Sequence, residues 1–427
     1  MLFQNMVFAW IRYAVFLTVL TLTLWITNRF VHRRAVASLA LTARWAKGLG
    51  LLLGASIVSL IAARVIDRFI PDVVLLRAVA QVGMIVQLAV MIAAVLMIPV
   101  ALLDKFWAWC QARAVKSSAA AAVPADTAAS SADSAARSDD LSLQLVPRRG
   151  LLSRGASGAA LAIGGGSALY GSLFGRYDYQ IEEVPVRLPR LARELDGFTI
   201  AQLSDIHLGT FVGEEQMRAA LALTADTLPD IIVLTGDLID HDARYADLLG
   251  RWVRRLGAIA PVAVIPGNHD YYSGIEATLA AVRRAGAAVL VNDAIHLRDG
   301  KMGRAPRPRP GDKTPGLTLL GVDDVWGDSY GGPGPDLARA LGRSDPDAAR
   351  VLLCHNPSTF EEHAPHVGLQ LSGHTHGGQV NLGLRPADLL LPHRFVEGHY
   401  REGKSQLYVN RGFGTAGPPA REIGRAH

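Results

Sequence analysis

Residues 198–209 read Phe198-Thr199-Ile200-Ala201-Gln202-Leu203-Ser204-Asp205-Ile206-His207-Leu208-Gly209. A short apolar run leads directly into a carboxylate and an imidazole at alternate positions, and a glycine closes the phrase. Alternate residues of an extended chain point to the same side, so Asp205 and His207 can reach one ligand together. The pattern recurs. Apolar runs at 231–235, 262–265, 351–354 and 369–371 end in Gly236-Asp237-Leu238-Ile239-Asp240, Gly267-Asn268-His269-Asp270, His355-Asn356-Pro357 and Gly373-His374-Thr375-His376-Gly377-Gly378-Gln379. Between some of them, residues 214–227 and 245–256 repeat apolar positions at three- and four-residue spacing, which predicts helices. The class is α/β with largely buried strands. In an open α/β sheet the carboxyl ends of the strands meet at one crevice, so five clusters remote in sequence converge in space.

Carboxylate, imidazole and amide oxygen together suit divalent ions of the Mn, Fe or Zn type, and the near absence of cysteine argues against a thiolate site. Two such ions bridged by a carboxylate can activate a water and neutralise both oxygens of a displacement at phosphorus. Each signal alone is modest, since a lone Asp-x-His is commonly a surface pair and a single buried His a satisfied core residue. Their order, each after a strand, gives the set its weight.

In that order the series is similar to the calcineurin-like metallophosphoesterase family, bacterial membrane-associated branch, over residues 184–421. The resemblance implies a four-layer αββα sandwich around two divalent metal ions. By motif it implies that Asp205, His207, Asp237 and His376 hold one metal, and that Asp237 bridges to a second completed by Asn268, His355 and His374. It also implies that His269 donates a hydrogen bond or proton to the phosphate or leaving group, with Asp270 orienting and charging it. Asp240 is read as a hydrogen-bond acceptor behind the ligands in preference to a direct metal ligand, Cys354 as a small buried residue, and Asp323 and Asp324 as loop structure without assigned chemistry.

Working outward, the first hundred residues contain three apolar stretches, 7–27, 48–66 and 79–103, each near the ~20 residues that cross a bilayer. The loop after the first carries Arg29, Arg33, Arg34, Arg44 and Lys47 without an acid, whereas the next mixes Arg68 and Arg77 with Asp67 and Asp72. Lys105, Arg113 and Lys116 follow the third. The positive-inside rule therefore places the first loop and the end of the third span in the cytoplasm. Residues 1–116 form a membrane domain, and 117–147, rich in Ala and Ser, a flexible linker. Residues 148–176 begin with Arg148-Arg149 and continue in a Gly/Ala-rich apolar run, either a twin-arginine-like export segment or a fourth membrane helix. Either reading makes 177–427 an extracytoplasmic catalytic domain of an inner-membrane, multi-pass protein.

Composition agrees. The 427 residues are 50% hydrophobic and 19% charged, with 43 basic against 38 acidic residues, a net +5 that sits largely beside apolar segments. Nucleic acid is therefore not an expected partner. Twelve of 13 histidines lie beyond residue 200, and the two cysteines, Cys110 and Cys354, cannot form a disulfide framework.

The expected activity is hydrolysis of a phosphoester, as a phosphodiester or a lipid-linked pyrophosphate, near the bilayer; the alternative is a catalytically silent sensor or scaffold. A basic insertion at 301–313 with Arg304, Arg307 and Arg309 reads as a solvated loop or an anion contact. The last six residues, 422–427, coincide with one frame of a common sequencing adaptor, which points to a truncated gene model.

Overall fold

The computed structural model describes residues 2–66, 70, 73–121, 148–209, 211–298, 301–303, 316–379, 394–415, 417 and 419–421. Two compact units divide the chain, residues 1–169 and 170–427.

The first unit is helical: α1 Leu2–Leu39, α2 Ala43–Ile66, α3 Val74–Ala121 and α4 Arg148–Leu173, the last running on into the second unit. Within them, Ala14–Leu39, Ala43–Ala63 and Leu75–Arg113 are long and apolar enough to cross a membrane. The expected spans fall inside longer helices, and α3 continues to Ala121, into the stretch read as linker; residues 122–147 lie outside the described residues. Small residues let these helices approach closely. A Cβ on Gly83 would meet the Ser56 carbonyl, and one on Gly164 would meet Ala89 and Ala93, which brings α4 against α3. Ala160 of α4 is buried with Val31, Leu53, Val90, Ala94 and Met97. The segment at 148–173 is thus a helix packed among the apolar ones, although among the described residues it is not itself apolar enough to count as a span. Polar groups are paired inside the unit: Arg34 Nη2 donates to Asp104 Oδ2 at 2.6 Å, and Ser153 Oγ donates to the same carboxylate at 3.0 Å.

The second unit runs β1 Ile200–Leu203, α5 Glu214–Asp226, β2 Ile231–Thr235, α6 Ala246–Leu256, β3 Val262–Ile265, α7 Asn268–Arg284, β4 Ala288–Val289, β5 Asp293–Arg298, β6 Lys301–Gly303, β7 Leu317–Gly321, α8 Leu337–Leu341, β8 Ala349–Leu353, α9 Phe360–His363, β9 Leu369–Ser372, β10 Gly398–Glu402 and β11 Ser405–Val409. One sheet is parallel in the order β1-β2-β3-β4; the other, mixed, has the order β10-β11-β9-β8-β7-β5-β6.

Strand alternation decides the layers. Ile232, Leu234, Val262 and Val264 face Met217, Leu221, Trp252, Val253, Leu256, Leu279 and Val282 of α5, α6 and α7. Their neighbours Ile231, Val233, Ala263 and Ile265 turn the other way, onto Ile295, Leu317, Leu319, Val351 and Leu371 of the second sheet. On that sheet's far side Leu320, Leu352 and Cys354 pack with Ala340 of α8. Helix, sheet, sheet and helix therefore stack in the αββα order. The strands carry apolar residues on both faces because both faces are covered. Arg304, Arg307, Arg309 and residues 422–427 lie outside the described residues.

Candidate metal centre

Both sheets deliver their carboxyl ends to one point. β1 leads to Asp205 and His207, β2 to Asp237 and Asp240, β3 to Asn268 and His269, β8 to His355, and β9 to His374 and His376. Gln202 links the sheets by donating to Thr235 Oγ1 and to the Ser372 carbonyl, both at 3.0 Å. The turns at this point are tight. Asp205, His207, Asp237, His374 and His376 all have φ between 49° and 73°, a left-handed backbone that costs energy for residues with a Cβ and concentrates at functional sites. Gly236, at φ 89°, cannot be replaced without conflict, because a Cβ there would lie 2.6 Å from His355 Nδ1.

The ligand-competent groups include two adjacent ones, Asp205/His207/His376 and Asp237/His355/His374, in each of which one ligand atom per residue lies within 4.8 Å of the others. His207/Asp237/His269 overlaps both, and Asp240/His241/His269 joins it through His269. Asp237 lies between the first two: its Oδ2 is 3.6 Å from His207 Nε2 and 3.2 Å from His355 Nε2. His207 Nε2 and His376 Nε2 stand 3.0 Å apart, and His376 Nε2 is 3.3 Å from Asp205 Oδ1. Two imidazole nitrogens and a carboxylate turned toward each other in a buried pocket need a shared proton or a cation between them. Asn268 Oδ1 and His355 Nε2 are buried without hydrogen-bond partners, which fits the same requirement. A pair of divalent ions matches this donor set of carboxylate, imidazole and amide oxygen.

Electrostatics follow from the crowding. Burial pushes the Asp205 carboxyl up. It would do the same to Asp237, but the charges of His355 and His207 hold that carboxyl well below the usual range. His269 is half-buried; burial would lower its pKa, but Asp240 and Asp237 outweigh it and push it up to about 9.

The expected partner of His269 is corrected. Asp270 turns away from that imidazole: its Oδ1 accepts from the Leu238 and Ile239 amides at 2.9 and 3.1 Å, and its Oδ2 from the Gly267 amide at 2.9 Å. At the third position of α7, Asp270 caps the helix start and fastens the turn after β2, so its carboxylate is used up by backbone donors. Asp240 takes the orienting place. Its carbonyl accepts from His269 Nδ1 at 3.0 Å, and its Oδ1 lies 3.6 Å from the same nitrogen and 3.4 Å from His207 Nδ1. A carboxylate behind a histidine fixes the tautomer and leaves the opposite nitrogen facing the centre.

Three residues escaped sequence reading. His241 Nε2 lies 2.8 Å from Asp240 Oδ2. Arg421 is buried, and its guanidinium donates to the carbonyls of Arg411, Gly412 and Gly414, whose loop backs Asp205 through the Gly414 amide. Tyr272 stands beside His269 with ring centroids 5.4 Å apart. Only Tyr272 carried a readable signal, lying three residues after His269 on a helix and hence on the same face.

Residues 198–378 match the family model for calcineurin-like phosphoesterases. That stretch is similar to calcineurin-like phosphoesterases, and the clustered Asp and His groups that could hold metal ions stand within it. The chain is 30% identical over 280 residues to the Danio rerio "Transmembrane protein with metallophosphoesterase domain", covering 62% of this chain and 60% of that one. It is 29% identical to an uncharacterized metallophosphoesterase of Helicobacter pylori (strain J99), covering 57% and 60%. It is also 29% identical to the uncharacterized metallophosphoesterase YkuE of Bacillus subtilis, covering 64% and 91%. The chain thus spans about 60% of the length of the first two relatives.

Proposed function

We propose that the protein is a membrane-anchored, dinuclear-metal-dependent phosphoesterase. The observation that carries this reading is the place of Asp237, whose Oδ2 lies within reach of His207 on one side and His355 on the other. Asp205, His207, Asp237 and His376 would hold one ion; Asp237, Asn268, His355 and His374 the other. Such a pair supplies an activated water and charge neutralisation at phosphorus. The chain's own residues do the rest. His269 Nδ1 is engaged by the Asp240 carbonyl, so its Nε2 carries the free position from which a proton passes to the leaving oxygen. Asp240 holds both His207 and His269 in register, and Asp237 Oδ1, accepting from the His269 amide at 2.8 Å, fixes the backbone of that acid.

Three apolar helices tether the site to a bilayer, which favours a phosphodiester or a lipid-linked pyrophosphate. The loop charges support reading residues 1–116 as a membrane domain and 177–427 as extracytoplasmic, with 148–176 as an export segment or a fourth membrane helix. A C-terminal fusion reporter that is active only outside the cytoplasm should be active. The chemistry is tested with the full chain in detergent, loaded with Mn²⁺, on an activated aryl phosphodiester. Hydrolysis is expected, with loss in Asp237→Ala and His269→Ala; full activity in both variants overturns the reading.

A further inference from the structure

Beside the metal centre is a loop built with more buried polar structure than a surface turn requires. Tyr271 of α7 points inward, and its hydroxyl lies 2.7 and 2.8 Å from the two oxygens of the buried Asp323 carboxylate. The same carboxylate accepts from the Gly334 amide at 3.0 Å. Asn292 completes the tie: its Oδ1 accepts from the Asp323 and Asp336 amides at 3.0 and 2.9 Å, and its Nδ2 donates to the Gly334 carbonyl at 2.7 Å. A buried carboxylate is tolerated only when hydrogen bonds satisfy it, and here they fix residues 323–336 against the start of α7.

What the tie positions is aromatic and exposed. Tyr272, next to the inward Tyr271, is 43% exposed, and Tyr330 on the fastened loop is 50% exposed. Their rings meet edge to face at 5.0 Å and 60°. Tyr272 also adjoins the centre, because its ring stands 5.4 Å from that of His269, centroid to centroid. Large apolar rings left in water beside a polar centre, on a rigid mount, are a stacking surface in want of a flat partner.

We infer that Tyr272 and Tyr330 form a platform for a planar, nucleobase-bearing leaving group of the substrate. The inference rests on the phosphoesterase reading and on the place of His269. Water supplies the new P–O bond, the bond from phosphorus to the nucleoside oxygen breaks, and the proton from His269 passes to that oxygen. The part of the substrate nearest His269 is therefore the part that leaves, and the rings adjoining His269 receive it.

The test uses the full chain in detergent with Mn²⁺ and two diesters: adenosine 5′-(methyl phosphate), and the same ester with hydrogen in place of adenine. Their leaving alcohols are alike, so the ratio of kcat/KM reads the base alone. Wild type should favour the adenine ester roughly tenfold or more and release adenosine, as base–aromatic stacking requires. Tyr330→Leu should bring the ratio close to one, while Tyr330→Phe, which keeps the ring, should retain it. A wild-type ratio near one, release of adenosine monophosphate instead of adenosine, or a Tyr330→Leu ratio like wild type overturns the inference. Turnover of an aryl diester but of neither methyl ester overturns it while leaving the phosphoesterase reading standing; failure on the aryl diester as well removes both.

Discussion

His355 Nδ1 lies 2.7 Å from the carbonyl oxygen of Thr235. A carbonyl only accepts, so Nδ1 carries a proton, and Nε2 faces Asp237 Oδ2 at 3.2 Å. The second sheet thus aims an imidazole nitrogen at a carboxylate of the first. Burial would lower the His355 pKa, but that carboxylate favours a proton on the ring and raises it well above its ordinary value; a divalent ion takes the proton's place. Metal binding to the folded state then adds stability by mass action, about 2.7 kcal/mol at a hundredfold excess over Kd. Chelation should lower the Tm of the second unit by roughly 5–10 °C. A thermal scan with and without chelator checks this, and an unchanged Tm would count against the pairing.

Asp240 touches both His207 and His269 while standing behind them. Removing its charge in Asp240→Asn should loosen metal binding by roughly 10–100-fold, the usual cost of losing such a support. Metal titration of the variant followed by activity at saturating Mn²⁺ reads the two effects separately.

Asp270 serves structure. Its three backbone donors lose a charged acceptor in Asp270→Asn, which should cost about 2–4 kcal/mol, since each hydrogen bond to a charged group contributes roughly 1.5–3. The variant should melt lower yet keep most of its kcat below its melting range. Loss of kcat in protein that remains folded would restore the catalytic role expected from its place in the motif.

Much of the centre could be read in the residues because its chemistry is local to strand ends. Five apolar runs each hand a polar cluster to one edge, and the parallel order of β1, β2 and β3 brings the clusters together. The role of Asp270 misled for a physical reason: adjacency to His269 in sequence says nothing about direction, and on a helix successive side chains diverge by about 100°. Arg421 was invisible because its partners are carbonyls, which every residue possesses. The α4 segment resisted a single reading because glycine and alanine are too small to declare a membrane span, yet small enough to pack tightly beside one.

Burial pushes the Cys354 thiol up to about 12, and its Sγ adjoins Thr359 Oγ1 and the Asn356 carbonyl. A raised acid pKa keeps the neutral thiol, and only the thiolate reacts. Alkylation of Cys354 in the folded protein should stay negligible from neutral to mildly alkaline pH, as peptide mass mapping would record. Rapid labelling at neutral pH would refute the burial.

Trp252 is 2% exposed between α6 and the first sheet, with its indole N–H donating to the Met217 carbonyl at 3.1 Å. Trp252→Ala should destabilise the second unit by about 3–5 kcal/mol, which denaturant unfolding of the purified chain would measure.

The central claim is that Asp237 joins two ions. Elemental analysis of the purified full chain, with its Asp237→Ala and Asp205→Ala variants, addresses it most directly. The account predicts about two divalent ions per wild-type chain, loss of both in Asp237→Ala and retention of about one in Asp205→Ala. Full metal content in Asp237→Ala, or a wild-type chain that binds no divalent ion, would contradict it.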